Sequence, residues 1–427
     1  MMLSVNLLKY FKLVALSENM SVSVISLDYR NQNPSGEIFI TGSKSESNRW
    51  LMLQKLWGNI EISNLSTAED TQLLHNALFS DAEIVDINHA GTAMRFLTSY
   101  FASSKGRKVI LTGSERMKNR PIAILVDALK SLGAEIFYLE KEGFPPLKIT
   151  GKKLDKNKVS IAGNISSQYI SSLLLIAPTL PNGLTINFCT EITSKPYLEM
   201  TITQLKEIGV NVSWNNNSLI IEPLKNSYKP KIEVVVESDW SAASYFYSTI
   251  ALSKKGTVTL NYFQKKSKQG DAVLSKIYEL FGVSTTFNNN QIGLKKDENF
   301  KNPELIELNL VNTPDIAQTI VVSCLGLGIN CVLTGLHTLK IKETDRLVAL
   351  KNELQKYGAQ IVITENSLQM ITPKKLKKNV TIETYHDHRM AMSFAPLSLK
   401  TAINIEDLNV VEKSYPEFWK DFKQLFI

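Results

Sequence analysis

LVDALKSLGAEIFYL, residues 125–139, decides the fold, because its pattern returns three more times. The other copies are MTITQLKEIGVNVSW (200–214), VLSKIYELFGVSTTF (273–287) and VALKNELQKYGAQIVI (348–363). Each reads as an amphipathic helix, a glycine followed by Ala or Val, and a strand; a polar turn and a second strand follow. The glycines are Gly133, Gly209, Gly282 and Gly358, and subtracting these positions gives spacings of 76, 73 and 76. A residue without Cβ adopts the left-handed conformation cheaply, so each glycine is expected to end its helix as a left-handed cap.

Working outward, a weaker fifth copy is LLHNALFSDAEIVDI (73–87), with Asp81 at the glycine position. The chain ends on a sixth helix, PEFWKDFKQLFI (416–427), with no strands after it, while SVSVISLDYRNQNPSGEIFITG (21–42) reads as two strands with no helix before them. Six units follow, the last completed by the chain's own beginning. Units of this length pack better as two pseudo-symmetric lobes than as a thin solenoid. The expected terminal lobe is 20–42 plus 239–427 and the central lobe 43–238, joined by crossings near Gly42 and Ser238, with the ligand site in the cleft between them. Residues 1–19 read as a leader, and Met20 as an alternative start.

The chain has 427 residues, 44% of them apolar, which excludes intrinsic disorder and a small disulfide scaffold. No apolar run approaches the ~18–20 residues a membrane span needs, and an odd cysteine count, Cys189, Cys324 and Cys331, argues for a reducing cytoplasm. The formal charge of +7 points to an anionic partner, yet only eight of the 48 cations are arginines. A planar guanidinium is the side chain suited to bidentate carboxylate or phosphate recognition.

Those arginines have a pattern. Six of the eight (Arg49, Arg95, Arg116, Arg120, Arg346 and Arg389) stand at the starts of apolar helices, among them GSKSESNRW, HAGTAMRF, GSERMKNRP, KIKETDRL and HDHRMAM. NISSQYI, TSKPYLEM, SDWSAAS and NTPDIAQ begin helices in the same polar way. First-turn N–H groups and the helix dipole make such positions anion sites. Ordinary N-capping by Ser, Thr and Asp explains any one of them, but not the arginines. Asp315 and Glu343 are two acids within this cationic set, suited to proton transfer or to structural ion pairing. The His386-x-His388 pair has no third ligand at a metal spacing. Gly42-Ser-Lys-Ser45 lacks the upstream glycine of a phosphate loop. The lysine clusters 265–268 and 374–378 lack interleaved aromatics, which disfavours nucleic acid.

Together these residues resemble the 5-enolpyruvylshikimate-3-phosphate synthase family of enolpyruvyl transferases, from about Gly42 to Phe418. The motifs are Lys44-Ser45 with Arg49, Ala90-Gly91-Thr92-Ala93-Met94-Arg95, Arg116-Met117 with Arg120-Pro121, Ser166-Ser167-Gln168, Ser194-Lys195-Pro196-Tyr197 and Asp239-Trp240-Ser241. Pro314-Asp315, Lys342-Glu343-Thr344-Asp345-Arg346, Asp387-His388-Arg389 and Lys413 before Tyr415-Pro416 complete the set. The resemblance implies an α/β fold, a two-lobed inside-out α/β barrel of six βαβαββ repeats, three per lobe. It implies shikimate 3-phosphate and phosphoenolpyruvate as substrates, with no cofactor, no metal, no nucleic-acid or membrane partner, and a cytoplasmic monomer.

By the same resemblance Lys44, Ser45, Arg49, Ser166, Ser167, Ser194, Tyr197, Asp315 and Lys342 hold shikimate 3-phosphate, and Lys44, Gly91, Arg116, Gln168, Arg346, Arg389 and Lys413 hold phosphoenolpyruvate. Asp315, Glu343, Lys44 and Lys413 are the expected catalytic groups. Three positions depart from the family pattern: His89 and Thr338, each in place of Asn, and Phe96, in place of Pro. Loss of that proline is expected to let the Gly91–Arg95 helix start shift and so weaken binding of glyphosate, an inhibitor that mimics phosphoenolpyruvate. The alternatives are the sister transferase acting on UDP-N-acetylglucosamine, which needs a cysteine in the loop that here reads GSERMKNRP, and a non-catalytic anion-binding relative.

Overall fold

The computed structural model describes residues 23–224 and 231–427. The readings of a leader at 1–19 and a start at Met20 lie outside the described residues. The four repeat glycines adopt the left-handed conformation: φ is 106° at Gly133, 86° at Gly209, 71° at Gly282 and 98° at Gly358. The fifth copy is built differently. Its helix, Glu69–Phe79, ends on extended Ser80, so Asp81 carries no left-handed cap.

Among the described residues the strands form six sheets, one per unit. The unit around Gly358 shows the plan. Leu305–Asn309 pairs in parallel with Asn330–Thr334 across the helix Ala317–Leu327. After the helix Arg346–Lys356 comes the hairpin Gln360–Ile363 and Leu368–Ile371, whose second strand returns antiparallel to Asn330–Thr334. The sheets around Gly133, Gly209 and Gly282 share this strand order. The two N-terminal strands part company: Val24–Leu27 joins Ile403–Glu406 of the last unit, whereas Ser35–Ile38 pairs in parallel with Thr257–Asn261. Likewise Ile232–Val235 closes the first central unit by pairing with Ile60–Ser63.

Two hydrophobic cores result. One runs from Trp50 to Val236; the other gathers Leu27, Ile38 and Ile40 with Trp240 through Leu425. Each surrounds three inner helices, Lys44–Trp57, Gly91–Ser103 and Ser167–Ile176 in the central lobe, and Trp240–Leu252, Ala317–Leu327 and His388–Phe394 in the terminal lobe. Buried hydroxyls stitch these helices where large side chains would hold them apart. Ser244 meets Thr319 at 3.0 Å, Thr319 meets Ser393 at 3.2 Å, and Ser323 donates to Ser248 at 2.8 Å. The hydroxyls satisfy one another, so their burial costs little.

The chain passes between the lobes twice, side by side, where Gly42 and Ser238 form an antiparallel bridge. A Cβ on Gly42 would lie 1.8 Å from the Asn64 carbonyl oxygen, so only glycine fits that strand. Asp239 follows immediately and caps the helix Trp240–Leu252 through Ala242 N–H. Its other oxygen accepts Lys44 N–H at 3.2 Å, so one carboxylate serves a helix start in each lobe.

Candidate active site

All six inner helices begin with a motif singled out in the sequence, and four of them carry the ordinary side-chain cap. Side-chain caps come from Ser43, Ser166, Asp239 and Asp387, and Asp345 caps the helix that carries Arg346. Around the caps the remaining polar groups collect in the cleft.

The terminal lobe contributes a charge cluster centred on Arg346, whose side chain is 2% exposed. Its guanidinium reaches Asp315 at 2.9 Å, Glu343 at 2.8 Å and Asp387 at 2.6 Å. In this arrangement the fork is fully engaged and positions the acids. Asp315 also pairs with Lys342 at 3.3 Å and Arg389 at 3.6 Å, and Glu343 pairs with Lys413 at 3.1 Å. Burial works to raise the Asp315 carboxyl, but Lys342, Arg389 and Arg346 outweigh it and hold it well below the usual carboxylate range. Glu343 is held low in the same way, burial being overcome chiefly by Lys413 and Arg346. Buried His388, between Lys44 and Glu343, is kept neutral by desolvation and by Lys44.

The central lobe faces this cluster with donors. The principal chamber is lined by Ser45, Arg120, Ser166 and Gln168 from one side and by Asp315 and Lys342 from the other. It spans about 780 Å³ open to solvent. Arg49 lies beneath its floor, bonded to Thr201, Ser171 and the Ser45 and Tyr197 carbonyls, and burial lowers it only to about 10, so it stays charged. Ser194 has φ 52°, a left-handed strain for a non-glycine residue, and opens its helix with no side-chain capping bond, leaving its hydroxyl to the chamber. Tyr197 donates to Asp315 at 3.3 Å and Lys413 donates to the His89 carbonyl at 3.2 Å, so the lobes are drawn together across the site.

Lys44 pairs with Asp70 at 3.2 Å and lines a second, hinge-side chamber with Arg389 and Asp271. Gly91 lies against Arg120: a Cβ there would meet the guanidinium at 2.4 Å, so a larger residue would displace that flexible end. Arg116 is exposed and lines only the outer mouth of the cleft. Arg120, which the resemblance left out of the substrate sets, lines both the chamber and the mouth. Its place one turn after Arg116 was the available signal, and of the two it is Arg120 that packs against Gly91. Lys195, at a helix start, points away, over Trp214 and paired with Glu199.

Of the three departures, Thr338 lines the chamber with a buried hydroxyl that has no protein partner. Phe96 is fully buried in the core, with the Arg49 guanidinium 5.6 Å above its ring, and the helix Gly91–Ser103 is unbroken around it. Asp271 and Glu46 were not legible in advance: burial pushes each up to about 7. Among the described residues no helix is long and apolar enough to cross a membrane.

The family model described as EPSP synthase (3-phosphoshikimate 1-carboxyvinyltransferase) matches residues 74–422. The chain is 43% identical over 392 residues to the 3-phosphoshikimate 1-carboxyvinyltransferase of Bacteroides fragilis (strain YCH46), covering 91% of this chain and 94% of that protein. It is 36% identical over 418 residues to the protein of the same name from Colwellia psychrerythraea, covering 91% and 96%. An EPSP synthase structure from Acinetobacter baumannii superposes with a TM-score of 0.76 at 21% identity, over 94% of this chain and 98% of that one, and shares its fold.

Proposed function

This chain belongs to the EPSP synthase family, and on that premise we propose that it transfers the enolpyruvyl group of phosphoenolpyruvate to the 5-hydroxyl of shikimate 3-phosphate. The reaction releases phosphate, and the protein is a transferase of the shikimate pathway of aromatic amino-acid biosynthesis. One observation supports the reading at the level of residues: Asp315 faces a wall of hydroxyl, amide and guanidinium donors across the chamber, and Glu343, tied to the same Arg346, lines the adjoining mouth beside Arg120 and Lys413. Two substrates with two phosphates and two carboxylates between them need such a wall.

The chemistry is addition followed by elimination. Asp315 accepts the proton of the attacking 5-hydroxyl, and Glu343, with Lys44 and Lys413, protonates the methylene carbon and later takes a methyl proton as phosphate leaves. Free of substrate, both acids are too strongly held to be good bases. Anionic substrates neutralise Lys342, Arg389 and Lys413, which raises the carboxylates toward a working range. Ser45, Arg49, Ser166, Ser167, Ser194, Tyr197 and Lys342 are assigned to shikimate 3-phosphate, with Thr338 as an added hydroxyl donor. Gly91, Arg120, Gln168, Arg389 and Lys413 are assigned to phosphoenolpyruvate, Arg116 standing outside them and Arg346 behind them.

The lobe boundaries at 42/43 and 238/239, a monomeric state and a cytoplasmic site of action belong to the same proposal. No cysteine lies in the 113–121 loop, which speaks against the UDP-N-acetylglucosamine enzyme. A coupled phosphate-release assay with both substrates tests the reading; pure, folded protein that releases no phosphate would defeat it.

A further inference from the structure

The inner helices of the terminal lobe begin at the cleft and run away from it. Trp240–Leu252, 13 residues long, ends about 20 Å farther on, at the base of the lobe. A hollow of about 970 Å³, open to solvent, lies there, against the end of that helix and the turn Ala395–Leu399. Arg30, Asn31, Gln32, Lys254 and Lys400 are in its wall, with Leu252 and Leu399 behind them. None of these residues lines the substrate chamber or its mouth.

The charge of this hollow is unbalanced. Asp28, the one acid among the residues lining it, takes the Arg30 guanidinium with both carboxylate oxygens, at 2.8 and 2.7 Å. Lys254 donates to the Asn31 amide oxygen at 3.3 Å and has no carboxylate partner among the described residues. The half-buried Lys400 ammonium has neither a hydrogen-bond acceptor nor a carboxylate among them. Lysines near helix ends ordinarily bond the last carbonyls. Lys296, the next lysine in the row, does so, donating to the Phe281 carbonyl at 2.8 Å. Lys400 does not, so ordinary capping leaves it unexplained.

The surroundings favour a neutral amine at this position. Burial comes first in holding the Lys400 ammonium below its ordinary range, and Lys254 adds to it. On its other side stands Lys296, itself brought down to about 8 by burial and by Lys400, against Asp297. Asp28, the nearest acid across the hollow, is engaged by Arg30. Lys400 is therefore the middle member of three lysines, and losing its charge relieves repulsion on both sides.

We propose that Lys400 is a modification site, an amine that takes acyl groups from acyl phosphates, with Lys254 as the cation that docks the phosphate. In the transfer the neutral amine attacks the acyl carbon. A C–N bond forms, the bond from that carbon to the phosphate oxygen breaks, and inorganic phosphate leaves with the bonding pair. The surplus proton of the amine passes to solvent, and nothing is oxidised or reduced. The Lys254 ammonium and the Asn31 and Gln32 amides supply donors for the phosphate oxygens. The modification is independent of the reaction assigned to the cleft, which needs none of these residues.

Acetyl phosphate is the probe, and acetic anhydride, which carries no charge to dock, is the control. Folded full-length protein is treated with each near neutral pH, and the acetylation of each lysine is followed by peptide mass spectrometry. Lys400 is expected to react with acetyl phosphate at least about fivefold faster than the exposed Lys374 and Lys375, since each pKa unit of lowering frees up to about tenfold more amine. Its rate with acetyl phosphate relative to anhydride should also exceed theirs. Lys254→Gln should slow acetyl phosphate at Lys400 at least about threefold, slow the anhydride less, and leave Lys374 and Lys375 unchanged. Lys254→Arg, which keeps the docking charge, should restore the rate and guards against a folding defect. Lys400 reacting no faster than Lys374 and Lys375, or showing their ratio between the two reagents, would overturn the proposal. So would an unchanged rate in Lys254→Gln.

Discussion

Arg346→Met asks whether the three acids at the cleft are held by one guanidinium. Methionine keeps most of the length and removes the charge. Asp315, Glu343 and Asp387 then lose partners at 2.9, 2.8 and 2.6 Å in a place where the arginine side chain is 2% exposed. Removing one partner of a buried pair costs ~3–5 kcal/mol, because the remaining charge stays desolvated. Here Lys342, Arg389 and Lys413 remain to compensate, so about 3–4 kcal/mol is expected at pH 7. The pH dependence is the sharper test. Asp315 and Glu343 titrate in the folded wild type below their unfolded values. Their contribution is therefore complete above those values, about 4, and is lost as pH falls through and below them. In the variant the same acids sit higher and are relieved by protonation. The stability gap should be widest near neutrality and narrow toward about pH 4. Urea unfolding followed by circular dichroism and tryptophan fluorescence measures it. A gap under ~1 kcal/mol at pH 7, or one independent of pH, would refute the reasoning. Arg346→Lys, which keeps charge but loses the fork, should fall between the two.

Glu343→Gln should lower kcat by at least ~100-fold and change KM by much less, in steady-state assays of phosphate release, if the residue moves a proton and does not merely bind. Asp271 behaves oppositely to the ion-paired acids: with its carboxyl pushed up to about 7, the folded protein keeps a proton that the unfolded chain releases, and stability declines from about pH 4 to about pH 7. Asp271→Asn should remove that slope and be more stable than wild type at pH 8 by on the order of 2–4 kcal/mol in urea titrations; equal slopes would contradict it. Phe96→Pro should lower the urea midpoint well beyond Phe96→Leu, since it adds a lost helix bond and clash of about 3 kcal/mol to the cavity. Any change in glyphosate inhibition then has to be read against the leucine variant.

The repeat was legible because its signal is local. A glycine at the end of an amphipathic helix means the same thing wherever it falls, and Gly133, Gly209, Gly282 and Gly358 all take the left-handed cap. Helix starts were legible for the same reason, down to the caps at Ser43, Ser166 and Asp387. What could not be read depends on closure of the lobes. That Arg120, rather than Arg116, packs against Gly91 and lines the chamber joins residues 25 or more apart in sequence. That Arg346 is spent on three carboxylates, one of them at 387, is likewise a fact of assembly. Asp271 and Glu46 give no local sign at all, because their shifts come from burial.

The paired crossings at Gly42 and Ser238 also dictate an order of events during synthesis. Everything the central lobe needs lies between Ser43 and Val236, so its last strand, Ile232–Val235, can dock on Ile60–Ser63 before the other lobe is made. Val24–Leu27 and Ser35–Ile38 leave the ribosome long before their partners, Ile403–Glu406 and Thr257–Leu260. Two bare strand edges must therefore wait through most of translation, exposed to any other strand they meet. The Asn-Pro-Ser-Gly turn and the charged Asp28 and Arg30 beside them are the kind of residues that make such waiting edges poor templates for aggregation.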